Sequence, residues 1–177
     1  MVLGFLTFLR PDSLVSVSWW DLVRVNGADL FQYRPANWKG RRVENSGPVL
    51  QVSLEGLPKL RTALIKHAPI RGPLWRRRFS TSQVEGLFGR VLERHGLAHL
   101  RDVHTPYSLR RGGASAARVA GVPMEVIESF GGWSAGSRAL KEHYLDMSIT
   151  ASPYATTFFG RLARGQCAPF AQQYFNR

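Results

Sequence analysis

Residues typical of β-strands are concentrated in one stretch of the chain, between positions 19 and 54, and helical patterns lie on both sides of it. Three short runs, 20–25, 30–34 and 49–54, are separated by Gly, Asn and Pro, as in a small antiparallel sheet. With 177 residues the chain is long enough for one domain with a sizeable core. The sequence therefore predicts an α+β fold in which helices dominate and one small antiparallel sheet has three strands.

Helical patterns are predicted on both sides of this sheet. Residues 1–17 have a helical pattern, and Pro11 suits the first turn of a second short helix within it. Ser82 and Glu85 have the spacing of a capping box, which would open a helix that Gly96 ends. An apolar stripe after position 56 indicates a further helix, and its members are Leu57, Leu60, Leu64 and Ile65.

Glycine and proline mark the ends of the helices in the C-terminal half. A helix is expected over 108–120 with Gly121 behind it, and another is expected to begin at Pro123 and to end before Gly131 and Gly132. A short helix would then carry Tyr144. The segment 151–177 is expected to be a tail with one more helix, over about 154–163.

Positive charge is the most unusual property of the composition. Lys and Arg number 24 against 12 Asp and Glu, which gives a formal net charge of +12. Such a field attracts polyanions and releases counterions from a phosphate backbone, so nucleic acid is the favoured partner. The arginines expected to contact DNA are Arg41, Arg42, Arg76, Arg77, Arg78 and Arg111.

Several other classes of protein are disfavoured. The single cysteine, Cys167, cannot form an intramolecular disulfide and indicates a reducing compartment. The apolar opening of the chain is too short to span a bilayer. His95 and His99 are four residues apart, but Gly96 breaks the helix between them, and no third ligand is near. We expect an intracellular, DNA-associated protein, in the nucleus or the bacterial nucleoid according to the host, that uses no metal or cofactor.

The stretch 105–145 has the most informative pattern. Arg110 lies in the first turn of a predicted helix, Trp133 follows a Gly-Gly pair, and Tyr144 lies on the next short helix. This order and spacing resemble the second signature box of the tyrosine recombinases (phage integrases and their relatives), which reads H-x-L-R, then G-[HW], then Y. The resemblance implies that Arg110 is the second catalytic arginine, that Trp133 occupies the His/Trp position and that Tyr144 is the nucleophile. Tyr107 stands where the family has histidine.

A second segment resembles the first box of the same family. LRPDSLVSVSWWDL, at 9–22, is similar to the pattern L-R-x-x-E-L-x-x-L-x-W-x-D, and it implies that Arg10 is the first catalytic arginine. Ser13 stands at the acidic position, with Asp12 one residue before it. Family members also carry a lysine in a β-hairpin between the boxes, often as Lys-Gly, and here Lys39 is the candidate.

The resemblance implies a metal-independent reaction on DNA. Two guanidinium groups would meet the charge on the non-bridging phosphate oxygens, Tyr144 would form a covalent 3′-phosphotyrosine, and Lys39 would protonate the leaving 5′-oxygen. Residues 1–150 would form the catalytic domain. An N-terminal DNA-clamping domain is expected to be absent. Family members act as tetramers on DNA and often pass a C-terminal segment to a neighbour, a role available to 151–177.

Two alternatives stay open. One is a catalytically inactive, DNA-binding remnant of a mobile element, favoured by Tyr107 in the histidine position and by the expected absence of a clamping domain. The other is a DNA-binding regulator, because 116–130 also has the pattern of a helix-turn-helix, with Gly121 in the turn and Pro123 opening the second helix.

Overall fold

The computed structural model describes residues 1–25, 28–34, 50–54, 57–67, 72–73 and 79–146. In these parts of the chain helices dominate, and the strands belong to one small antiparallel sheet. The predicted α+β class is therefore confirmed. None of the helices in the described ranges has the length and apolar character needed to cross a membrane.

The sheet consists mainly of one long antiparallel pair with a shorter strand on each side. Its strands are β1 (Ser18–Val25), β2 (Ala28–Arg34), β3 (Leu50–Ser53) and β4 (Gly72–Pro73), in the order β3-β2-β1-β4. The three predicted runs correspond to β1, β2 and β3, but the predicted count of three strands is wrong, since β4 pairs with β1. A two-residue Gly-Pro strand has no alternating side chains, so the alternation used for prediction cannot detect it.

The described ranges contain six α-helices, one 3₁₀ turn and one π-helical turn. The helices are α1 (Val2–Thr7), α2 (Pro11–Val15), α3 (Pro58–His67), α4 (Thr81–Arg94), α5 (Pro106–Val119) and α6 (Met124–Gly131), with a 3₁₀ turn at Ala98–Leu100 and a π-helical turn at Leu140–Tyr144. The predicted N-terminal helical region is thus two helices, as expected from Pro11. The break comes at Phe8, whose left-handed backbone (φ 52°) ends α1.

Two details of the helix prediction are wrong. The capping box of α4 is formed by Ser80 and Gln83, not by Ser82 and Glu85: the Ser80 hydroxyl accepts from the Gln83 amide (3.2 Å), and the Gln83 side chain accepts from the Ser80 amide (2.8 Å). Both pairs have the same spacing, and Ser80 is the residue in the extended conformation that a cap requires. Ile65 does not belong to the core, because its side chain is 52% exposed.

The C-terminal helices end close to the glycines from which their ends were predicted. Gly96, Gly121 and Gly132 each have positive φ just beyond α4, α5 and α6 respectively, a conformation in which glycine has no steric penalty. The helix α5 begins at Pro106, slightly before the predicted start, because Thr105 caps it and proline suits its first turn. The Thr105 hydroxyl accepts from the Tyr107 amide (3.3 Å).

The core lies where α1 packs across α5 and where the sheet meets the helices. Phe8 is fully buried, and its ring makes an edge contact with Phe130 on α6 at 5.5 Å between centroids. In the sheet, Phe31 and Tyr33 are buried and their rings stack at 5.5 Å. Because α1, α5 and α6 share one core, the residues at their ends are held in fixed relation to each other.

Candidate functional site

Arg110, Trp133 and Tyr144 lie together at one end of α5. The guanidinium carbon of Arg110 is 3.6 Å from the centroid of the Trp133 ring and 5.2 Å from that of Tyr144. The two rings contact each other edge to face, with centroids 5.2 Å apart and an interplanar angle of 64°. The fold therefore brings together the three residues that the second motif singles out.

Arg110 is the most deeply buried charged side chain of this group, at 1% exposure. Its Nη1 donates to the carbonyl oxygen of Phe8, the residue that ends α1. Its Nε and Nη2 are buried, and neither has a hydrogen-bond partner among the residues that the structure describes. Buried donors without partners are costly and rare, so these two N–H groups need an acceptor that the described residues do not supply.

The electrostatics of the pocket favour an anion. Burial lowers the pKa of the Arg110 guanidinium to about 10, and the charge of Arg10 lowers it too, while Tyr144 and Tyr107 act in the opposite direction. Arg110 therefore remains charged at neutral pH. Within the described ranges no carboxylate forms an ion pair with either arginine. An anion between them would relieve their mutual repulsion.

Arg10 precedes the N-terminal end of α2 and lies near enough to Arg110 for its charge to lower the pKa of that guanidinium. It is the residue before Pro11, with an extended backbone (φ −65°, ψ 153°), and its side chain is half-buried. Phe8, whose carbonyl accepts from Arg110, is only two residues from Arg10 along the chain. The Arg110 guanidinium therefore lies at the junction between α1 and α2 that also carries Arg10. The two arginines that the two motifs predict are thus neighbours.

Trp133 is placed by the end of α6. Its amide donates to the Glu128 carbonyl (2.8 Å), and Gly132 before it has a left-handed backbone (φ 70°). Gly131 lies beneath the indole: a Cβ at this position would overlap the ring of Trp133. Gly132 therefore allows the backbone to turn, and Gly131 allows the indole ring of Trp133 to approach the backbone closely.

Tyr144 is the last residue of the π-helical turn Leu140–Tyr144 and is half-buried. The turn is anchored by Leu140, which is fully buried, and is closed by the Leu145 amide, which donates to the Leu140 carbonyl (3.1 Å). π-Helical turns are rare and occur frequently at functional sites. A short helix was predicted here, and its π-type winding was not.

Two buried polar residues that hold this region were not among those predicted from the sequence. Ser115 on α5 is fully buried, and its hydroxyl donates to the Tyr144 carbonyl (3.0 Å) and accepts from the Asp146 amide (2.8 Å). Glu128 on α6 is 6% exposed, and its carboxylate accepts from the amides of Gly136 (3.1 Å) and Ser137 (2.9 Å). The only sequence signal for either was a polar residue within an otherwise small or apolar helical face.

Other predicted site residues lie at the edge of the cluster. Tyr107 is 43% exposed on the first turn of α5, so it is not a core aromatic, and it is near enough to raise the pKa of Arg110. His104, three residues before Tyr107, is exposed, and its Nδ1 lies 3.3 Å from the Ser108 hydroxyl oxygen, so the loop does not turn this histidine inward. Arg111 is exposed and pairs with Asp146 at 3.5 Å.

The remaining candidates lie outside the described residues. They are Lys39, Arg41, Arg42, Arg76, Arg77 and Arg78, together with the tail 151–177 that contains Cys167. In the ranges that are described, no three His, Cys, Asp or Glu side chains are grouped so that they could hold a metal ion.

Comparison with protein-family models, with curated proteins and with solved structures gives no match to this chain. The function of this cluster is therefore inferred from the identity and placement of its own residues.

Proposed function

We propose that the chain is a tyrosine recombinase-like catalytic domain that cuts and rejoins strands of double-stranded DNA through a 3′-phosphotyrosyl intermediate on Tyr144. The observation that carries this proposal is the contact between Arg110, Trp133 and Tyr144, in a pocket where Arg110 is buried with two unpaired donors. The net charge of +12 supports a polyanionic partner.

Arg10, Arg110, Trp133 and Tyr144, together with Lys39, which lies outside the described residues, would supply the groups that phosphoryl transfer needs. Arg10 and Arg110 would bind the non-bridging oxygens, where negative charge increases as the fifth bond to phosphorus forms. The indole N–H of Trp133 would donate to the same phosphate. Tyr144 would give its phenol proton to solvent, and its oxygen would attack phosphorus as the bond to the 5′-oxygen breaks. The 5′-oxygen would leave as a hydroxyl after taking a proton from Lys39. A 5′-hydroxyl then reverses the step, so no external energy source is required.

The setting of this reaction follows from the same resemblance. We propose a tetramer on DNA, in an intracellular compartment that contains DNA, with contacts from Arg41, Arg42, Arg111 and the run Arg76, Arg77 and Arg78. Arg111 is exposed and follows Arg110 directly, and it would contact the flanking phosphates of a bound strand in exchange for its pairing with Asp146.

Replacing Tyr144 by phenylalanine is expected to abolish the covalent adduct and to leave DNA affinity within about two-fold, because only the nucleophilic oxygen is removed. Duplexes selected by binding from a randomised pool are resynthesised with a 5′-bridging phosphorothiolate at each position in turn. Sulfur leaves without a general acid, so adduct formation then tests the arginines and the tyrosine independently of Lys39. Adducts that survive SDS are digested, and the modified tyrosine is located by mass spectrometry.

The matched control is Tyr33→Phe, which removes a phenol oxygen from a buried position in β2 and should retain the adduct. Adduct formation by Tyr144→Phe, or modification mapped to another residue, would refute the proposal. Wild-type protein that binds DNA and forms no adduct would instead support the inactive remnant or the helix-turn-helix regulator. Both would still use the α5–α6 pair, which the short turn at Gly121 joins.

A further inference from the structure

Ser115 makes an unusual pair of hydrogen bonds for a serine inside a helix. Such a hydroxyl commonly bonds to a carbonyl of its own helix. Here it donates to the Tyr144 carbonyl (3.0 Å) and accepts from the Asp146 amide (2.8 Å), so both of its bonds go to the segment that carries the tyrosine. The residue is fully buried. The hydroxyl therefore connects α5 to the backbone on each side of Leu145.

The same helix carries Arg110. Five residues along an α-helix correspond to about 7.5 Å, so Arg110 and Ser115 are two fixed points on one rigid element. Arg110 carries the proposed phosphate-binding guanidinium, and Ser115 binds the backbone of Tyr144, the proposed nucleophile. The distance between the cation and the tyrosine is thus set through α5 and does not need DNA to define it.

The opposite end of the segment is fixed separately. Glu128 binds the amides of Gly136 and Ser137 just before the π-helical turn, and the Ser137 hydroxyl accepts from the Leu140 amide (3.2 Å). These contacts determine where the turn begins. Where it ends, and therefore where the Tyr144 side chain starts, is determined by Ser115 and by the bond from Leu145 to Leu140.

We propose that Ser115 is a positioning residue that holds Tyr144 in register with Arg110 before DNA binds; this inference rests on the proposed function. Removing the hydroxyl takes away the bond that it donates to the Tyr144 carbonyl and the bond that it accepts from the Asp146 amide, both of them part-buried, and the end of the turn becomes free to move. A misplacement of about 1 Å at a reacting group lowers a rate by about 100-fold. Ser115 acts through the tyrosine backbone and does not itself touch the phosphate.

The test compares Ser115→Ala with Ser53→Ala, which deletes a buried hydroxyl from β3. The adduct-forming rate constant is measured at saturating phosphorothiolate DNA, together with DNA affinity and with amide hydrogen exchange of residues 140–146. Ser115→Ala should lower the rate constant by about 10- to 100-fold, leave the affinity within about two-fold and speed exchange in 140–146. Ser53→Ala should change none of the three.

The possible results separate the inference from the proposed function. A protein that is only destabilised would give less adduct at an unchanged rate constant, and this result would overturn the inference. Equal slowing by Ser53→Ala would overturn it as well. If the wild-type protein forms no adduct at all, the proposed function fails. The role of Ser115 is then decided by exchange alone, and unchanged exchange in 140–146 would overturn it.

Discussion

Replacing Arg110 by lysine is expected to lower the rate of adduct formation by about 100- to 1,000-fold, the loss typical of removing one preorganised donor from an oxyanion site. Arg110 donates to the Phe8 carbonyl with Nη1 and keeps Nε and Nη2 for a ligand, while its plane lies over the Trp133 ring. A lysine ammonium is a point charge on a flexible stem. It cannot bind the carbonyl, stack on the indole and present two parallel donors at the same time.

The control for this prediction is Arg118→Lys, an identical exchange at an exposed position in the last turn of α5. Rates are measured with the phosphorothiolate duplexes, and near-ultraviolet circular dichroism checks that the aromatic packing of each variant is retained. Arg118→Lys should match the wild-type protein. If Arg110→Lys keeps its rate within tenfold of wild type, the fork geometry of Arg110 is unimportant, and the pocket does not bind phosphate as proposed.

Much of the site could be predicted from the sequence because its parts lie on locally recognisable elements. Arg110 is in the first turns of a helix whose start is marked by Thr105 and Pro106, and Trp133 follows a glycine that ends a helix. These signals are local, since a cap or a left-handed glycine depends on a few adjacent residues. The order of the motif then predicted that Arg110, Trp133 and Tyr144 would meet, and they do.

The parts that sequence reasoning missed depend on contacts between distant segments. Ser115 bonds to residues 29 and 31 positions later, and Arg110 bonds to Phe8, 102 positions earlier. Nothing in the local sequence of α5 identifies these partners. The π-helical turn was missed for a related reason: its winding is set by the buried Leu140 and by the bonds from Ser115, not by residue propensities. The assignment of Lys39 remains a prediction.

The placement of both arginines depends on how closely α1 approaches α5. Phe8 has a left-handed backbone, which is uncommon for a bulky residue and costs free energy. Its carbonyl oxygen accepts a hydrogen bond from Arg110, and its ring contacts Phe130. The fold retains this conformation because α1 lies directly on α5, at a point where α5 has two consecutive glycines, Gly112 and Gly113. The two glycines differ in the atoms that an added Cβ would meet.

Replacing Gly113 by alanine is therefore expected to destabilise the protein by about 3 kcal/mol, at the upper end of the usual cost of overpacking. A Cβ at this position would overlap the Phe5 carbonyl oxygen and crowd the Phe8 ring, and backbone cannot move aside as a flexible side chain can.

The neighbouring glycine, Gly112, provides a matched control with the opposite sign. A Cβ at Gly112 would lie 3.5 Å from the Phe5 ring, an ordinary contact, so Gly112→Ala should stabilise by up to about 1 kcal/mol through helix propensity. Urea unfolding measures both. Because α1 must shift to admit the methyl group, Gly113→Ala should also move the Phe8 carbonyl away from Arg110 and slow adduct formation, whereas Gly112→Ala should not. Equal stabilities for the two variants would mean that α1 and α5 do not pack as closely as the structure has them.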